Sequence, residues 1–394
     1  MYTALNGSVV NGDATVSVVD TLIYNAIDRN ASDIHFESGE DGLRVRYRID
    51  GVLYDQAKIP TSQQAQLISR IKVLGLLNIA EKRVPQDGKF SVRRRGTMID
   101  LRVSSFPGVY GEKVVIRILD RSHNNIHLDQ LGFSLPILAQ FHELVHKAGG
   151  FLLVTGPTGS GKTTTLYAAL AEIAAPEKNI LTLEDPVEYT LPGITQGQIN
   201  PEVGFTFEKG IRAMLRQDPD VVMVGEIRDH QTAQIAMQSA LTGHLVLSTL
   251  HTNDAAGAIM RLMDMAVEPF LINAAVTGVL AQRLARKICP SCKISYKPTT
   301  EEHVLLQRVG LIVTKLYRGT GCATCFNLGY KGRTGIFELL IMNSALRALI
   351  IKDPVFESIY EQALENGMKP LLSDAAQKVE EGVISLSELV RVLL

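Results

Sequence analysis

The sequence predicts an α/β protein in which a small mixed α+β domain precedes a larger domain built on a parallel sheet. Three observations carry that expectation. In the second half, continuous apolar strands at Phe151–Thr155, Ile180–Leu183, Val221–Val224 and Leu245–Ser248 alternate with helical stretches such as Thr163–Ala174 and Thr232–Leu241. That is the pattern of strands covered on both faces by crossover helices. In the first half the strand candidates alternate polar and apolar residues instead. Finally, 394 residues exceed what one ordinary core accommodates.

Taken in order, residues 1–15 are small and polar and read as a loose tail. Val18 to Ala26 has helical spacing. Ser32-Asp33-Ile34-His35-Phe36-Glu37 and Leu43–Ile49 alternate as strands, and Asp50-Gly51 marks a hairpin into Val52-Leu53-Tyr54. A helix over Ser62–Leu77 and strands at Ile99–Ser104 and Lys113–Leu119 complete a domain spanning 16–120. Residues 121–132 carry few apolar positions and read as a linker. The parallel-sheet domain covers 133–287, a cysteine-bearing insert 288–328, and short helices 329–394.

Composition narrows the class. Hydrophobic residues make up 46% and charged residues 21%, with a net charge of −1, as in a globular protein with no bulk attraction to nucleic acid or anionic lipid. Tryptophan is absent and aromatics are 6%, which argues against a stacking platform for single strands. No apolar run of about 18 residues is present and the N-terminus lacks a signal-peptide pattern, so a cytosolic protein is expected. The four cysteines fall in two close pairs, which in a reducing compartment points to metal before disulfide.

The most specific motif follows the strand ending at Thr155: Gly156-Pro157-Thr158-Gly159-Ser160-Gly161-Lys162-Thr163, with Thr164 behind it. The glycines let backbone N–H groups turn inward around phosphate oxygens, and the helix N-terminus adds positive potential. Lys162 is expected on the β- and γ-phosphates of ATP, and Thr163 on Mg²⁺. The competing reading is a chance glycine-rich turn.

Other candidates cluster at strand ends. The strand Val221–Val224 runs into Gly225-Glu226, where a P-loop enzyme usually has Asp, so Glu226 is expected to take the Mg²⁺ or its waters. Glu184 closes another strand at the edge where open α/β sheets bind ligands, placed to polarise an attacking water. Glu184 and Asp185 alternatively only cap the next segment. His251 follows a fourth strand, where a γ-phosphate sensor would lie. His244, Arg216 and Arg228 stay open. Cys289-x₂-Cys292 and Cys322-x₂-Cys325 spell two knuckles able to close on one structural Zn²⁺; a redox pair or unrelated buried thiols are the alternatives.

Taken together, the chain resembles the secretion ATPases of type II secretion and type IV pilus assembly. The stretches GPTGSGKTTTLYAAL, ILTLEDPVEY, RQDPDVVMVGEIRD and LTGHLVLSTLHTNDA carry the resemblance, joined upstream by ASDIHFE, RVRYRIDGVL, IAEKRVPQDGKF, DLRVSSFP and GEKVVIRILD. It covers about residues 17–394. The resemblance implies a PAS-like N-terminal domain hinged to a RecA-like ATPase domain, a homo-hexameric ring, a tetracysteine module binding zinc, and a helical C-terminal region. Glu184 then falls in the acidic box, Glu226 in the Walker B segment and His251 in the His box. Arg102 and Arg117 match arginines that approach nucleotide from a neighbouring subunit, although from the residues alone both would pair with local carboxylates.

The implied partners are an inner-membrane platform protein and a membrane-anchored docking protein, with peripheral membrane association through them and no nucleic acid. Family members usually carry a further N-terminal docking domain, which this chain is expected to lack. The stretch EPFLINAAVTGVLAQRLARKICPSC leans toward secretion over pilus assembly. A RecA-like ATPase remodelling nucleic acid and a small-molecule kinase are the rival functions.

Overall fold

The computed structural model describes residues 12–94, 96–119, 126–352 and 354–394, with side chains from residue 17 onward. The tail read at 1–15 lies outside the described residues up to residue 11, and the linker read at 121–132 up to residue 125. The chain divides into two compact units, residues 1–124 and 125–394.

The first unit comprises α1 (Gly12–Asp28), β1 (Ala31–Gly39), β2 (Gly42–Ile49), β3 (Val52–Ile59), α2 (Thr61–Leu74), β4 (Gln86–Arg94), β5 (Thr97–Phe106) and β6 (Lys113–Leu119). The strands form one antiparallel sheet in the order β3-β2-β1-β6-β5-β4. Alternation decides its two faces. Ile34, Phe36, Val45, Tyr47, Leu101, Val103, Val114 and Ile116 are buried, while the intervening His35, Arg46, Arg102 and Val115 point to the other face. The Tyr47 hydroxyl donates to the Leu22 carbonyl at 2.6 Å and ties α1 to β2. Asp50 and Gly51 both take positive φ, 49° and 85°, as the predicted two-residue hairpin requires. The helix expected over Ser62–Leu77 stops at Leu74, because Leu76 turns to φ 57°.

The second unit comprises α3 (Leu135–Val145), β7 (Gly150–Thr155), α4 (Lys162–Ile173), β8 (Ile180–Glu184), β9 (Thr195–Gln198), α5 (Phe207–Met214), β10 (Val221–Val224), α6 (His230–Leu241), β11 (Leu245–Leu250), α7 (Ala255–Asp264) and α8 (Pro269–Ala275). It continues through β12 (Val276–Ile288), β13 (Lys293–Tyr296), α9 (Thr300–Arg308), β14 (Leu316–Gly319), β15 (Tyr330–Ile341), α10 (Ser344–Lys352), α11 (Phe356–Glu365), α12 (Leu371–Glu380) and α13 (Leu386–Leu393). Its main sheet has the order β15-β12-β7-β11-β10-β8-β9, parallel except for β15. Side chains of α3 and α4 pack with one face of the sheet, and α5 to α8 with the C-terminal helices pack with the other.

One expectation needs correction. Residues 329–394 read as helices, yet Tyr330–Ile341 form the edge strand β15, paired antiparallel with β12. Its Thr334–Leu340 stretch is buried throughout, Glu338 included, and a stretch buried on both faces has no period to separate strand from helix. The helices α10 to α13 follow it.

Candidate nucleotide site and cysteine module

The C-terminal ends of β7, β10 and β11 meet at one edge of the sheet, and the loop 156–161 leaves β7 there. Its conformation depends on glycine: Gly156, Gly159 and Gly161 take φ of 149°, 79° and 89°. A Cβ on Gly156 would fall 2.4 Å from the Gln282 carbonyl oxygen, so the loop presses its backbone against β12. Gln282 braces it further, donating to the Ser160 carbonyl at 2.8 Å and accepting from Thr165 Oγ1 at 2.7 Å. Ser160 Oγ is buried and has no partner among the described residues. A buried orphan hydroxyl in this glycine loop suits an anion able to accept from it. Thr158 and Thr163 are exposed and Thr164 half-buried, with the Thr163 side chain on the first turn of α4.

Lys162 opens α4 and is 8% exposed. Its Nζ donates to the carbonyls of Gly156 at 2.7 Å and Pro157 at 3.2 Å. Burial lowers its pKa to about 8, opposed by the charge of Glu226 and reinforced by Arg283. His251, one residue past β11, stands between this lysine and Glu226. Its Nδ1 lies 3.5 Å from Lys162 Nζ and its Nε2 3.6 Å from Glu226 Oε2. An ammonium only donates, so Nδ1 is the acceptor and the proton sits on Nε2, toward the carboxylate. Burial and then Lys162 push the imidazole pKa below its ordinary value, which keeps that neutral form at pH 7.

Glu226 follows Gly225, where the usual aspartate is absent. A Cβ at Gly225 would meet the Leu183 oxygen at 3.3 Å and Glu184 Cα at 3.4 Å. Glycine thus lets the end of β10 lie against the end of β8 and puts the acid one position later. Arg228 Nη2 holds Glu226 Oε1 at 2.5 Å, and this ion pair raises the Arg228 pKa.

Glu184 ends β8 and is 3% exposed. Oε1 accepts from Thr182 Oγ1 at 2.5 Å and Gln196 Nε2 at 3.1 Å, and Oε2 accepts from the Tyr167 hydroxyl. A carboxylate has about four acceptor positions, so one on Oε2 is left for a further donor. Asp185 carries weak electrostatic influence on Arg228.

The remaining candidates separate clearly. His244 begins the turn into β11 at the far end of that strand, its Nδ1 2.9 Å from the Ser239 carbonyl oxygen. Arg216 precedes β10 at its N-terminal end and donates to the Arg212 carbonyl at 2.8 Å. Arg102 and Arg117 belong to the first unit, where they face each other across β5 and β6 on the charged side of that sheet. Arg117 Nε pairs with Asp33 at 3.0 Å, and the Arg102 side chain makes no hydrogen bond or ion pair among the described residues. Sequence reasoning missed Tyr167, Gln196, Gln282 and Arg283. Gln282 had a signal, a lone amide within the apolar run of β12; Gln196 had none.

The four cysteines converge. Sγ separations are 3.9 Å for Cys289–Cys322, 3.8 Å for Cys292–Cys325 and 3.7 Å for Cys322–Cys325, and all four lie within 4.8 Å of one another. Four thiolates on a tetrahedral ion at a bond length of ~2.3 Å would stand about 3.8 Å apart. Backbone N–H groups of Cys322 and Gly329 both donate to Cys325 Sγ at 3.3 Å, which holds that sulfur in place. The donor set fits a closed metal site.

With this geometry in hand, comparison with known proteins is decisive. The family described as "Type II/IV secretion system protein" matches residues 10–391. The chain belongs to that family. It is 48% identical over 377 residues to the type II secretion system ATPase E of Vibrio cholerae serotype O1, covering 96% of this chain and 75% of that protein. It is 47% identical over 380 residues to the type IV pilus assembly ATPase PilB of Thermus thermophilus, covering 95% of this chain and 42% of the relative. Among solved structures, the pilus retraction motor PilT with bound ADP matches with a TM-score of 0.62 and 26% identity, over 95% of this chain and 96% of that one.

Proposed function

We propose that this secretion-family chain hydrolyses ATP at the loop 156–163 and uses the energy to drive type II secretion from the cytoplasmic side of the membrane. The convergence of Lys162, His251 and Glu226 beside that loop carries the reading. ATP is the substrate, with its phosphates on the backbone N–H groups of Gly156–Thr164. Lys162 neutralises the β- and γ-phosphates. Thr163 and Glu226 would hold Mg²⁺, which supplies charge neutralisation across the same phosphates. Glu184, with its remaining acceptor position on Oε2, orients and polarises the attacking water, while Thr182, Gln196 and Tyr167 fix its carboxylate. Neutral His251, set between Lys162 and Glu226, responds to the γ-phosphate through those two groups.

Arg102 and Arg117 act in a neighbouring copy of a homo-hexameric ring, as charges that stabilise the transferring phosphoryl group. Two arginines directly opposite each other on a strand pair repel, so an anion between them is a gain for the first unit. Zn²⁺ on Cys289, Cys292, Cys322 and Cys325 closes the insert as a structural site. The ring works on an inner-membrane platform protein, with a membrane-anchored docking protein as second partner. Among the described residues no helix is long and apolar enough to cross a membrane, so peripheral attachment would run through those partners. Pilus assembly is the second reading, favoured by the PilB identity of 47%.

Glu226→Gln tests the assignment: it is expected to bind ATP and release no phosphate. Turnover stimulated by polynucleotide instead of by platform protein would move the chain to nucleic-acid remodelling.

A further inference from the structure

We propose a second divalent-metal site, formed by His142, His146 and Glu172 and separate from both the nucleotide edge and the cysteine module. His142 lies in the last turn of α3, and His146 follows the helix end. The intervening sequence, His142-Glu143-Leu144-Val145-His146, places both rings on one helix face, the spacing by which helical histidine pairs hold zinc. Glu172 comes from the last turn of α4, the helix that opens with Lys162.

The donors already converge. His142 Nδ1 is 2.5 Å and His146 Nδ1 3.8 Å from the same carboxylate oxygen, Glu172 Oε1. One donor atom from each of the three residues fits within 4.8 Å. An ion bound at ~2.0–2.1 Å sets tetrahedral donors about 3.3 Å apart, a spacing these two distances bracket. His146 Nδ1 also lies 2.9 Å from the His142 carbonyl oxygen. An incoming ion would replace these contacts of Nδ1 with the carboxylate and the carbonyl, taking the Nδ1 lone pairs as ligands while Nε2 carries the ring proton. Side-chain exposures of 38%, 51% and 25% leave the group open to an incoming ion.

A second feature points the same way. The C-terminal ends of α3 and α4 come together here, and each carries negative partial charge that favours a cation. Two imidazoles and a carboxylate select a borderline ion such as Zn²⁺, Ni²⁺ or Co²⁺ over Mg²⁺ or Ca²⁺. Bound there, the ion cross-links α3 to the far end of the helix that begins at the phosphate loop.

The test titrates Ni²⁺ into the full chain whose cysteine module is already loaded with zinc. Calorimetry counts the ions, and ring NMR reads which histidines broaden. Wild type is expected to take up a further equivalent at micromolar concentration, with selective loss of the His142 and His146 ring signals. His142→Ala/His146→Ala should abolish that equivalent. Glu172→Gln, which keeps the side-chain shape and guards against misfolding, should weaken it by about tenfold or more. Equal Ni²⁺ uptake by wild type and the double variant, broadening at other histidines, or uptake only at millimolar metal would overturn the site.

Discussion

The two sheets of this molecule solve the placement of charge in opposite ways. In the first unit one face is apolar and the other carries pairs such as Glu37 with Arg46 at 2.8 Å and Arg44 with Asp55 at 2.6 Å. In the second unit the strands β7, β8, β10 and β11 are buried on both faces, and charge gathers at their C-terminal edge. The first arrangement offers a broad wet surface on which individual charges are dispensable to folding. The second offers few ionisable groups, gathered at one edge and paired with one another, such as Glu226 with Arg228. A charge placed for function on the first sheet should therefore be removable at little cost in stability, whereas a buried carboxylate of the second unit that pairs with two cations should not.

The arginine pair tests that contrast with the largest effect. Arg102→Ala/Arg117→Ala should lower ATP turnover of the assembled protein by on the order of 10³-fold or more, the scale of an arginine supplied across an interface. Arg102→Ala alone should leave the unfolding free energy within about 0.5 kcal/mol of wild type, because the residue has no ion-pair partner among the described residues. Denaturant titration beside a phosphate-release assay separates the two.

Glu388 is the counterpart in the second unit. It is fully buried between Arg286, 2.7 Å away, and Arg391. Burial pushes its pKa upward, but hydrogen bonds from Arg391 and Arg286 win and hold it at about 2, below the ordinary 4.5. Glu388→Gln removes the buried charge that both guanidinium groups hold and should cost about 3 kcal/mol, against about 0–1 kcal/mol for the exposed Arg44→Ala. The sign of the pH effect follows from the depressed pKa. The contribution of Glu388 is complete above 4.5 and disappears as pH falls toward about 2. Acid unfolding of the variant should lack that component.

A smaller effect concerns Lys162, whose ammonium is held down to about 8 by burial. Phosphate restores the charged form, so ATP binding above pH 8 should take up a proton, and affinity should fall with pH by at most about tenfold per unit. Calorimetry in buffers of different ionisation enthalpy measures the uptake. Absence of uptake at pH 9 would mean that the lysine is not desolvated.

The same contrast explains what the sequence revealed. The four central strands of the second unit were legible as unbroken apolar runs, and the Asp50-Gly51 hairpin as a dipeptide that accepts two positive φ values. The strand β15 was not legible, since Ile336-Phe337-Glu338-Leu339-Leu340 shows no alternation and only its pairing with β12 decides. The glycine loop, Glu226, His251 and both cysteine pairs were visible as local spacings or strand ends. The groups that hold Glu184 were hidden, because Tyr167 and Gln196 reach it from a different helix and an adjacent strand. Register between β8 and β9, not proximity in sequence, brings Gln196 there. The convergence of His142 and His146 with Glu172 had only its helical half in the sequence.

The most direct test compares ATP binding and phosphate release by the wild-type chain and Lys162→Ala, with circular dichroism as the check on folding. Wild type should bind ATP and release phosphate, and the variant should keep its spectrum while turnover drops by at least about 10²–10³-fold. Equal turnover by the two proteins would contradict the placement of nucleotide at this sheet edge.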